Sequence, residues 1–275
     1  MIAPLLKWAG GKRQLRHELV HRLPERWNTY FEPFIGGGAL LAELANLGRL
    51  GHAVIGDKNP ELVSLYRVVR QKPERLAAAL SDEKFRNDEG SFRRIRAEFN
   101  GLIGTGKQPL ERAALLLYLN KHSYNGLWRV NGKGYYNVPF GKYTRASLPS
   151  VRMLQKFSRM LAGVTLISGD FERIIRTAKG GDFIYFDPPY HPLSKTARFT
   201  DYTTGGFPFA DQERLARVFR RLSDRGVQVM LSNSCTPEIR DLYEGFTIHT
   251  VPARRSINCK GGKRNGSVEL IVTNY

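Results

Sequence analysis

The sequence predicts an α/β fold in which a Rossmann-like, doubly wound and mostly parallel sheet carries an inserted, mostly helical domain. Two observations predict it. Short apolar, strand-like segments alternate with helical segments near the start of the chain and again from about residue 164 onward, as in parallel sheets with helical crossovers. Between them, roughly residues 58 to 149 follow the helical period. We therefore predict one domain from residues 1–57 and 150–275, and an inserted domain from residues 58–149.

The first sixty residues begin the sheet. Tyr30–Glu32 is predicted as a short strand that runs into a glycine turn at Gly36–Gly38. A helix with apolar leucines at positions 40, 41 and 44 follows this turn. A second strand is then predicted at Ala53–Gly56.

The middle of the chain is predicted to be helical and basic. Pro73 and Pro109 suit the first position of a helix. Ser91 suits the N-cap of a helix whose apolar residues recur at the helical period, at Phe92, Ile95, Phe99 and Leu102. The segment that ends at Tyr143 is rich in aromatic residues and is predicted to form loops.

Strands return in the last third of the chain. They are predicted at Val164–Ser168, Asp182–Phe186, Val227–Ser232, Thr247–Val251 and Val268–Val272. Asp211–Arg225 is predicted as a helix between two of these strands. This alternation completes the doubly wound pattern.

Composition and cysteine content indicate a cytoplasmic protein. Hydrophobic residues make up 41% of the 275 residues, which is ordinary for a globular protein and excludes a disordered chain. No run of about 18 apolar residues is present, so no membrane partner is expected. The first residues lack the apolar core and cleavage site of a signal peptide. Cys235 and Cys259 are the only cysteines, which fits a reducing compartment.

The net charge favours a polyanionic partner. The formal charge is +18, which attracts nucleic acid but also acidic membranes or ribosomes. Two stretches, 121–145 and 252–265, contain five basic residues each and no acidic ones. Such loop-like basic stretches are typical of surfaces that contact phosphates, and they favour DNA slightly over the other polyanions.

A glycine-rich motif connects the first strand to the following helix. Residues 31–38 read Phe-Glu-Pro-Phe-Ile-Gly-Gly-Gly, and glycines at such a turn let the backbone approach a ligand closely. A plain tight turn explains the glycines equally well, and a P-loop is excluded because no Gly-Lys-Ser/Thr follows. Asp57 ends the next strand, where a doubly wound fold presents a carboxylate to ribose hydroxyls.

Asp187-Pro188-Pro189-Tyr190 carries the clearest chemical signal. It directly follows an apolar strand and therefore lies at the carboxyl edge of the sheet, where ligands bind. The two prolines remove N–H donors and leave carbonyl acceptors. A carboxylate and a carbonyl together can accept both hydrogens of an NH2 group, and a tyrosine ring can stack on a base.

Together these motifs resemble those of DNA adenine-N6 methyltransferases of the alpha group, the Dam type. The resemblance rests on 187–190, on 31–38 and on Lys7-Trp-Ala-Gly-Gly-Lys12. The blocks 121–130 and 136–143 resemble the recognition hairpin of that family, and 251–270 resembles its C-terminal segment. The resemblance covers nearly the whole chain and implies methyl transfer from S-adenosylmethionine to the N6 amine of a flipped adenine in double-stranded DNA.

The resemblance also implies which residues bind the cofactor. Asp57 would hold the ribose, and Asp170 with Phe171 would contact the adenine of S-adenosylmethionine. Asp187 would border the cofactor as well as the base. The remaining residues implied to surround the cofactor are Trp8, Gly10, Lys12, Phe34, Gly36 and Gly38.

Recognition of GATC is implied by the middle block. Leu127, Arg129 and Pro139 stand where GATC-reading members place a Leu-x-Arg and a Pro. A guanidinium can donate two hydrogen bonds to guanine, although a single Arg in a basic loop is more often a phosphate contact. The other residues predicted to contact DNA are Tyr124, Asn125, Arg254, Arg255, Lys263 and Arg264.

Asp187, the Pro188 carbonyl and Tyr190 are the predicted catalytic groups, and no metal site is predicted, because no His or Cys cluster has ligand spacing. Cytosine-C5 methylation is disfavoured because neither cysteine follows a proline. The alternatives are another methyl acceptor, such as cytosine N4, an RNA base or a glutamine amide, and a DNA-binding regulator without activity. A restriction endonuclease with the same target is a possible functional partner.

Overall fold

The computed structural model describes residues 1–8, 15–192, 206–253 and 267–275. Within them a seven-stranded sheet has the order β3-β2-β1-β4-β5-β7-β6. The strands are β1 Thr29–Glu32, β2 His52–Asp57, β3 Val164–Ser168, β4 Phe183–Phe186, β5 Gln228–Ser234, β6 Thr247–Ala253 and β7 Ser267–Thr273. β1 to β5 pair in parallel, whereas β7 runs antiparallel between β5 and β6.

Ten α-helices are present in the described part of the chain. They are α1 Arg16–His21, α2 Ala39–Asn46, α3 Pro60–Gln71, α4 Pro73–Leu80, α5 Glu89–Leu102, α6 Pro109–His122, α7 Val151–Met160, α8 Phe171–Ile174, α9 Phe209–Asp224 and α10 Pro237–Leu242. The predicted doubly wound α/β fold is confirmed by this architecture. Pro73 and Pro109 begin their helices as predicted.

The strand order places a topological switch point between β1 and β4. From β1 the chain winds outward through β2 and β3, and it then returns to pair β4 on the other side of β1. Ligands of doubly wound sheets bind at this point, beyond the carboxyl ends of the strands. The glycine motif follows β1 and the Asp187–Tyr190 motif follows β4, so both border the same crevice.

Apolar side chains cover both faces of the sheet. In β4, Phe183 and Tyr185 pack into one core cluster, while Ile184 and Phe186 pack into the other, which also contains α9. A central parallel strand buried on both faces reads as a continuous apolar run. This explains why the segment before Asp187 has no polar alternation.

The start of α5 differs from the prediction. Asp88, not Ser91, is the N-cap, because the Asp88 Oδ1 accepts a hydrogen bond from the Ser91 N–H over 2.7 Å. Ser91 lies in the first turn, fully buried. Both residues are good caps, but the apolar period begins at Phe92 and gives no signal for the extra turn.

Helix α3 lies against the sheet although it follows the predicted domain boundary. Its Arg67 and Arg70 donate hydrogen bonds to the carbonyls of Leu166 and Val164 in β3. The division into residues 1–57 with 150–275 and residues 58–149 stays a proposal. No helix in the described ranges has the length and apolar character needed to cross a membrane.

Candidate active site

The glycine turn after β1 is held closely between neighbouring groups. Gly36 and Gly38 have φ angles of 46° and 67°, in the left-handed region that favours glycine. A Cβ on Gly36 would lie 2.7 Å from Cδ1 of Trp8, and one on Gly38 would lie 3.1 Å from the Tyr66 hydroxyl. Tyr66 also donates a hydrogen bond to the Gly36 carbonyl over 2.9 Å. The backbone conformation therefore favours glycine at both positions, and at Gly36 a side chain would also require the Trp8 ring to shift.

Asp57 contacts this turn directly. Its Oδ2 accepts a hydrogen bond from the Gly36 N–H over 3.2 Å, and its Oδ1 accepts one from the Asn59 N–H over 2.9 Å. Burial raises the pKa of Asp57 from 3.8 to about 6, against the opposing effect of these two N–H donors. The carboxylate predicted from sequence thus lies beside the predicted glycine loop.

A cleft opens beyond the carboxyl ends of β1 and β3. Phe34, Lys58, Asp170, Phe171 and Arg214 are among its lining residues. Asp170 caps α8 and accepts two hydrogen bonds from the Arg214 guanidinium, over 2.9 and 2.8 Å. The Arg214 hydrogen bond is the main cause that lowers the pKa of Asp170.

Phe171 is packed on two sides. The Phe34 ring stacks on it at 5.5 Å between centroids, and the Arg214 guanidinium lies 4.3 Å from the ring centroid. The side chain is 2% exposed. Phe171 therefore belongs to the wall of the cleft, and direct stacking on a purine requires Phe34 or Arg214 to move.

Trp8 connects the glycine turn to the middle of the chain. Its ring packs against Gly36 and stacks on Trp128, with centroids 6.4 Å apart. The preceding residue, Lys7, exchanges backbone hydrogen bonds with the Asn120 side chain over 2.9 and 2.6 Å. Gly10 and Lys12 lie outside the described residues.

The Asp187–Tyr190 motif leaves β4 at the switch point. Oδ1 of Asp187 accepts a hydrogen bond from the Ser232 hydroxyl over 3.0 Å, and Ser232 is also 2.8 Å from the Tyr185 hydroxyl. The Tyr190 hydroxyl donates to Glu269 Oε2 over 2.8 Å. Burial, with the nearby Asp187 and Glu269 carboxylates, holds the pKa of Tyr190 well above its ordinary value. Pro188 is buried and Pro189 is exposed.

Several polar residues around the motif were not predicted. Ser232, Asn233 and Gln212 are fully buried, and all three take part in hydrogen bonds at or next to the motif. Buried Glu32 accepts a hydrogen bond from Tyr30, and burial raises its pKa well above the usual value. The sequence feature that could have indicated Ser232 and Asn233 is the polar run 232–234, which follows apolar residues at the carboxyl end of a strand.

The middle block forms a hairpin that exposes several predicted recognition residues. Antiparallel bridges join Ser123 to Phe140 and Val130 to Tyr136. Tyr124, Arg129 and Pro139 are exposed, whereas Leu127 and Asn125 are half-buried. Arg129 is held by Asn137, to which its Nε and Nη2 donate over 2.7 and 3.0 Å.

Helix α5 fixes the other side of this hairpin. Asn100 exchanges hydrogen bonds with the backbone of Tyr136 over 2.7 and 3.0 Å, and Arg96 donates to the Val138 carbonyl over 3.2 Å. Arg254, Arg255, Lys263 and Arg264 lie outside the described residues. Within the described ranges no group of three or more His, Cys, Asp or Glu side chains could hold a metal ion.

Comparison with known proteins identifies methyltransferases as the relatives of this chain. The family model "D12 class N6 adenine-specific DNA methyltransferase" matches residues 8–257. The "Type II methyltransferase M1.LlaDCHI" of Lactococcus lactis subsp. cremoris is 42% identical over 277 residues, covering 100% of this chain and 96% of that relative. The "Type II methyltransferase M.MjaIII" of Methanocaldococcus jannaschii is 41% identical over 288 residues, covering 100% and 99%. The "DNA adenine methylase" of Escherichia coli K12 is 34% identical over 270 residues, covering 97% and 93%.

Proposed function

This chain belongs to the D12 class of N6 adenine-specific DNA methyltransferases, and on that premise we propose that it transfers a methyl group from S-adenosylmethionine to the N6 amine of a flipped adenine within GATC in duplex DNA. The observation that carries the proposal is the meeting of the glycine turn, Asp57 and Asp187 at one switch point. Membership of this family establishes adenine-specific methylation of DNA. The identity of the cofactor, the flipping of the base and the target sequence are what we propose here.

The chemistry of the cleft fits S-adenosylmethionine. Asp170 offers carboxylate oxygens to an adenine amine, since a carboxylate has about four acceptor sites and Arg214 with the Glu172 N–H uses three of them. Asp57 directly precedes Lys58, which lines the cleft. Its carboxylate would accept hydrogen bonds from the ribose hydroxyls. The remaining proposed cofactor residues are Trp8, Gly10, Lys12, Phe34, Gly36, Gly38, Phe171 and Asp187. When bound, the cofactor supplies an electrophilic methyl group on a positively charged sulfur.

Asp187 and the Pro188 carbonyl are proposed to accept the two hydrogens of the adenine amine. The amine is a poor nucleophile because its lone pair is delocalised into the ring, and two acceptors favour the tetrahedral nitrogen in which the lone pair is free. Such catalysis consists of positioning and electrostatic stabilisation. The Ser232 hydroxyl fixes one oxygen of Asp187. Tyr190, whose hydroxyl is tied to Glu269, would stack on the flipped base.

Arg129 is the proposed reader of guanine. Because Asn137 uses the Nε–Nη2 edge of the guanidinium, the Nη1–Nη2 edge would face guanine O6 and N7. Leu127 and Pro139 would make apolar contacts to other bases, with Tyr124 and Asn125 beside them. The assignment to GATC is supported by Leu127, Arg129 and Pro139, which stand where GATC-reading members of the family that the sequence resembles place a Leu-x-Arg and a Pro.

Phosphate contacts are proposed for Arg254, Arg255, Lys263 and Arg264. They fit the charge of +18, which supplies affinity that does not depend on sequence. A cytoplasmic location and a cognate restriction endonuclease belong to the same proposal. A nuclease gene of matching specificity next to the gene for this chain would support that partner.

Transfer of labelled methyl groups tests the proposal. The purified chain, labelled S-adenosylmethionine and duplexes with one GATC site should give N6-methyladenine, whereas duplexes with GATC changed at one base should give far less. Resistance of the product to a nuclease that cuts only unmethylated GATC gives the same answer. Labelling of duplexes without GATC at an equal rate contradicts the proposed target, and absence of labelling on any DNA contradicts the proposed reaction.

A further inference from the structure

Two buried amide side chains close a ring of hydrogen bonds around the loop that carries Tyr190. Nε2 of Gln212 in α9 donates to the Pro189 carbonyl over 2.9 Å. Oε1 of Gln212 accepts from Asn233 Nδ2 over 2.9 Å. Oδ1 of Asn233 accepts from the His191 N–H over 3.1 Å. The ring therefore ties the residue before Tyr190 to the residue after it.

The directions of these hydrogen bonds are fixed by the backbone groups at both ends. A carbonyl can only accept and an N–H can only donate, so Gln212 must point its NH2 toward Pro189, and Asn233 must point its oxygen toward His191. In the hydrogen bond between the two amides, Asn233 Nδ2 is therefore the donor and Gln212 Oε1 is the acceptor. Gln212 and Asn233 are each 0% exposed, so water cannot replace these partners.

The prolines explain why side chains hold this loop. Pro188 and Pro189 have no N–H, so between Asp187 and Tyr190 the backbone has no donor with which to fix its own conformation. Ser234, next to Asn233, adds a hydrogen bond from its hydroxyl to the His191 carbonyl over 2.7 Å. The loop is thus anchored from α9 and from β5.

We propose that Gln212 and Asn233 are positioning residues for methyl transfer, which hold the Pro189–His191 backbone so that Asp187, the Pro188 carbonyl and Tyr190 keep their mutual geometry. This inference rests on the proposed function. Neither residue is assigned a contact with cofactor or DNA. Their loss should therefore lower the rate of the chemical step and leave ground-state binding intact. A misplacement of about 1 Å at a reacting group costs about a hundredfold in rate.

The first test is Gln212→Leu, which removes both hydrogen bonds of the side chain. The single-turnover rate of methyl transfer at saturating cofactor and DNA should fall about a hundredfold. The dissociation constants for S-adenosylmethionine and for duplex DNA should stay within about threefold of the wild type. Gln228→Leu is the matched control. Gln228 begins strand β5, at the end opposite to Asn233, so this substitution should leave the rate unchanged.

The second variant, Gln212→Glu, keeps the shape and the acceptor for Asn233. An ionised glutamate repels the Pro189 carbonyl, whereas a protonated one donates to it. The single-turnover rate of this variant, divided by that of the wild type, should therefore fall between about pH 6 and about pH 9.5, a range that includes the raised pKa of a buried glutamate. Melting curves of all variants are the check that each of them is folded.

Two results would overturn the inference. One is a rate within about threefold of the wild type in both Gln212 variants at every pH. The other is a loss of cofactor or DNA affinity as large as the loss of rate, which indicates general disruption. If the wild-type chain transfers no methyl group from S-adenosylmethionine, the proposed function fails instead, and the two failures are thereby distinguished.

Discussion

The Ser232 hydroxyl donates a hydrogen bond to Oδ1 of Asp187 over 3.0 Å, across the neighbouring strands β5 and β4. Ser232 is fully buried, and the Tyr185 hydroxyl lies 2.8 Å from its oxygen. The carboxylate at the switch point is thus oriented by a side chain from the next strand.

Asp187→Ala should abolish methyl transfer while DNA binding survives. Loss of an acceptor for a developing charge costs at least about a hundredfold in rate. Single-turnover transfer and duplex affinity are the measurements. Asp224→Ala, at the exposed end of α9, is the control for loss of a negative charge. Near-normal turnover of Asp187→Ala would remove its catalytic role.

Ser232→Ala tests the orientation of that carboxylate. A hydrogen bond to a charged group contributes about 1.5–3 kcal/mol, so the transfer rate should fall by about tenfold to a hundredfold. Ser232→Thr keeps the hydroxyl and should retain most of the activity if the added methyl group is accommodated. An unchanged single-turnover rate in Ser232→Ala would show that Asp187 is oriented by other contacts.

Cofactor affinity should depend on the ionisation of Asp57. Burial raises the pKa of this group from 3.8 to about 6, so the stability of the folded state falls as pH rises from about 3.8 to about 6 and changes no further above that through this group. As pH falls through about 6 the carboxylate gains a proton, and its acceptor capacity for ribose hydroxyls decreases. The dissociation constant for S-adenosylmethionine should therefore rise below about pH 6.

Asp57→Asn and Asp57→Ala complete that test. Calorimetry should show weaker cofactor binding by both variants at neutral pH and no step near pH 6, while the Michaelis constant for DNA changes little. Asp57→Asn should also remove the unfavourable buried charge, so its melting temperature should not fall at neutral pH. Unchanged cofactor affinity would make Asp57 a support of the Gly36 turn alone.

Arg214→Ala should weaken cofactor binding through Asp170. Arg214 holds both Asp170 oxygens and lies over the Phe171 ring. Without it Asp170 loses its orientation and its lowered pKa, and the cofactor dissociation constant should rise by about tenfold. Arg221→Ala removes an exposed arginine of the same helix that pairs with Glu172, and it is the matched control. Equal effects of both variants would reflect general loss of charge.

The sequence predicts the fold well where a residue's environment follows from its neighbours in the chain. Strand β3 has the predicted bounds, and Asp187 lies at the predicted edge. Helices α1, α7, α8 and α10 and the true cap of α5 were not predicted; α1, α8 and α10 are brief, whereas α7 is a ten-residue helix between the inserted segment and β3. Ser232 and Gln212 contact the motif across 45 and 23 residues of chain, respectively, and only the folded sheet brings them there. The packing of Phe171 between Phe34 and Arg214 likewise needs the tertiary structure.

Arg129 is the proposed reader of guanine, so Arg129→Ala should cost about 1–3 kcal/mol at the cognate site and relax discrimination at one base position. Asn137→Ala should have a smaller effect in the same direction, because Asn137 holds the guanidinium through its side-chain and backbone oxygens and the substitution removes only the former. Arg254→Ala and Lys263→Ala should instead weaken binding to every duplex alike and flatten its salt dependence, as phosphate contacts do.

A panel of duplexes, each altered at one position of GATC and measured at two salt concentrations, separates these outcomes. A base reader changes the ratio of rates between cognate and altered sites, because its hydrogen bonds exist at only one of them. A phosphate contact changes all rates together, since every duplex has the same backbone. If Arg129→Ala lowers activity equally on every site, Arg129 is a phosphate contact, and the assignment to GATC loses its main structural support.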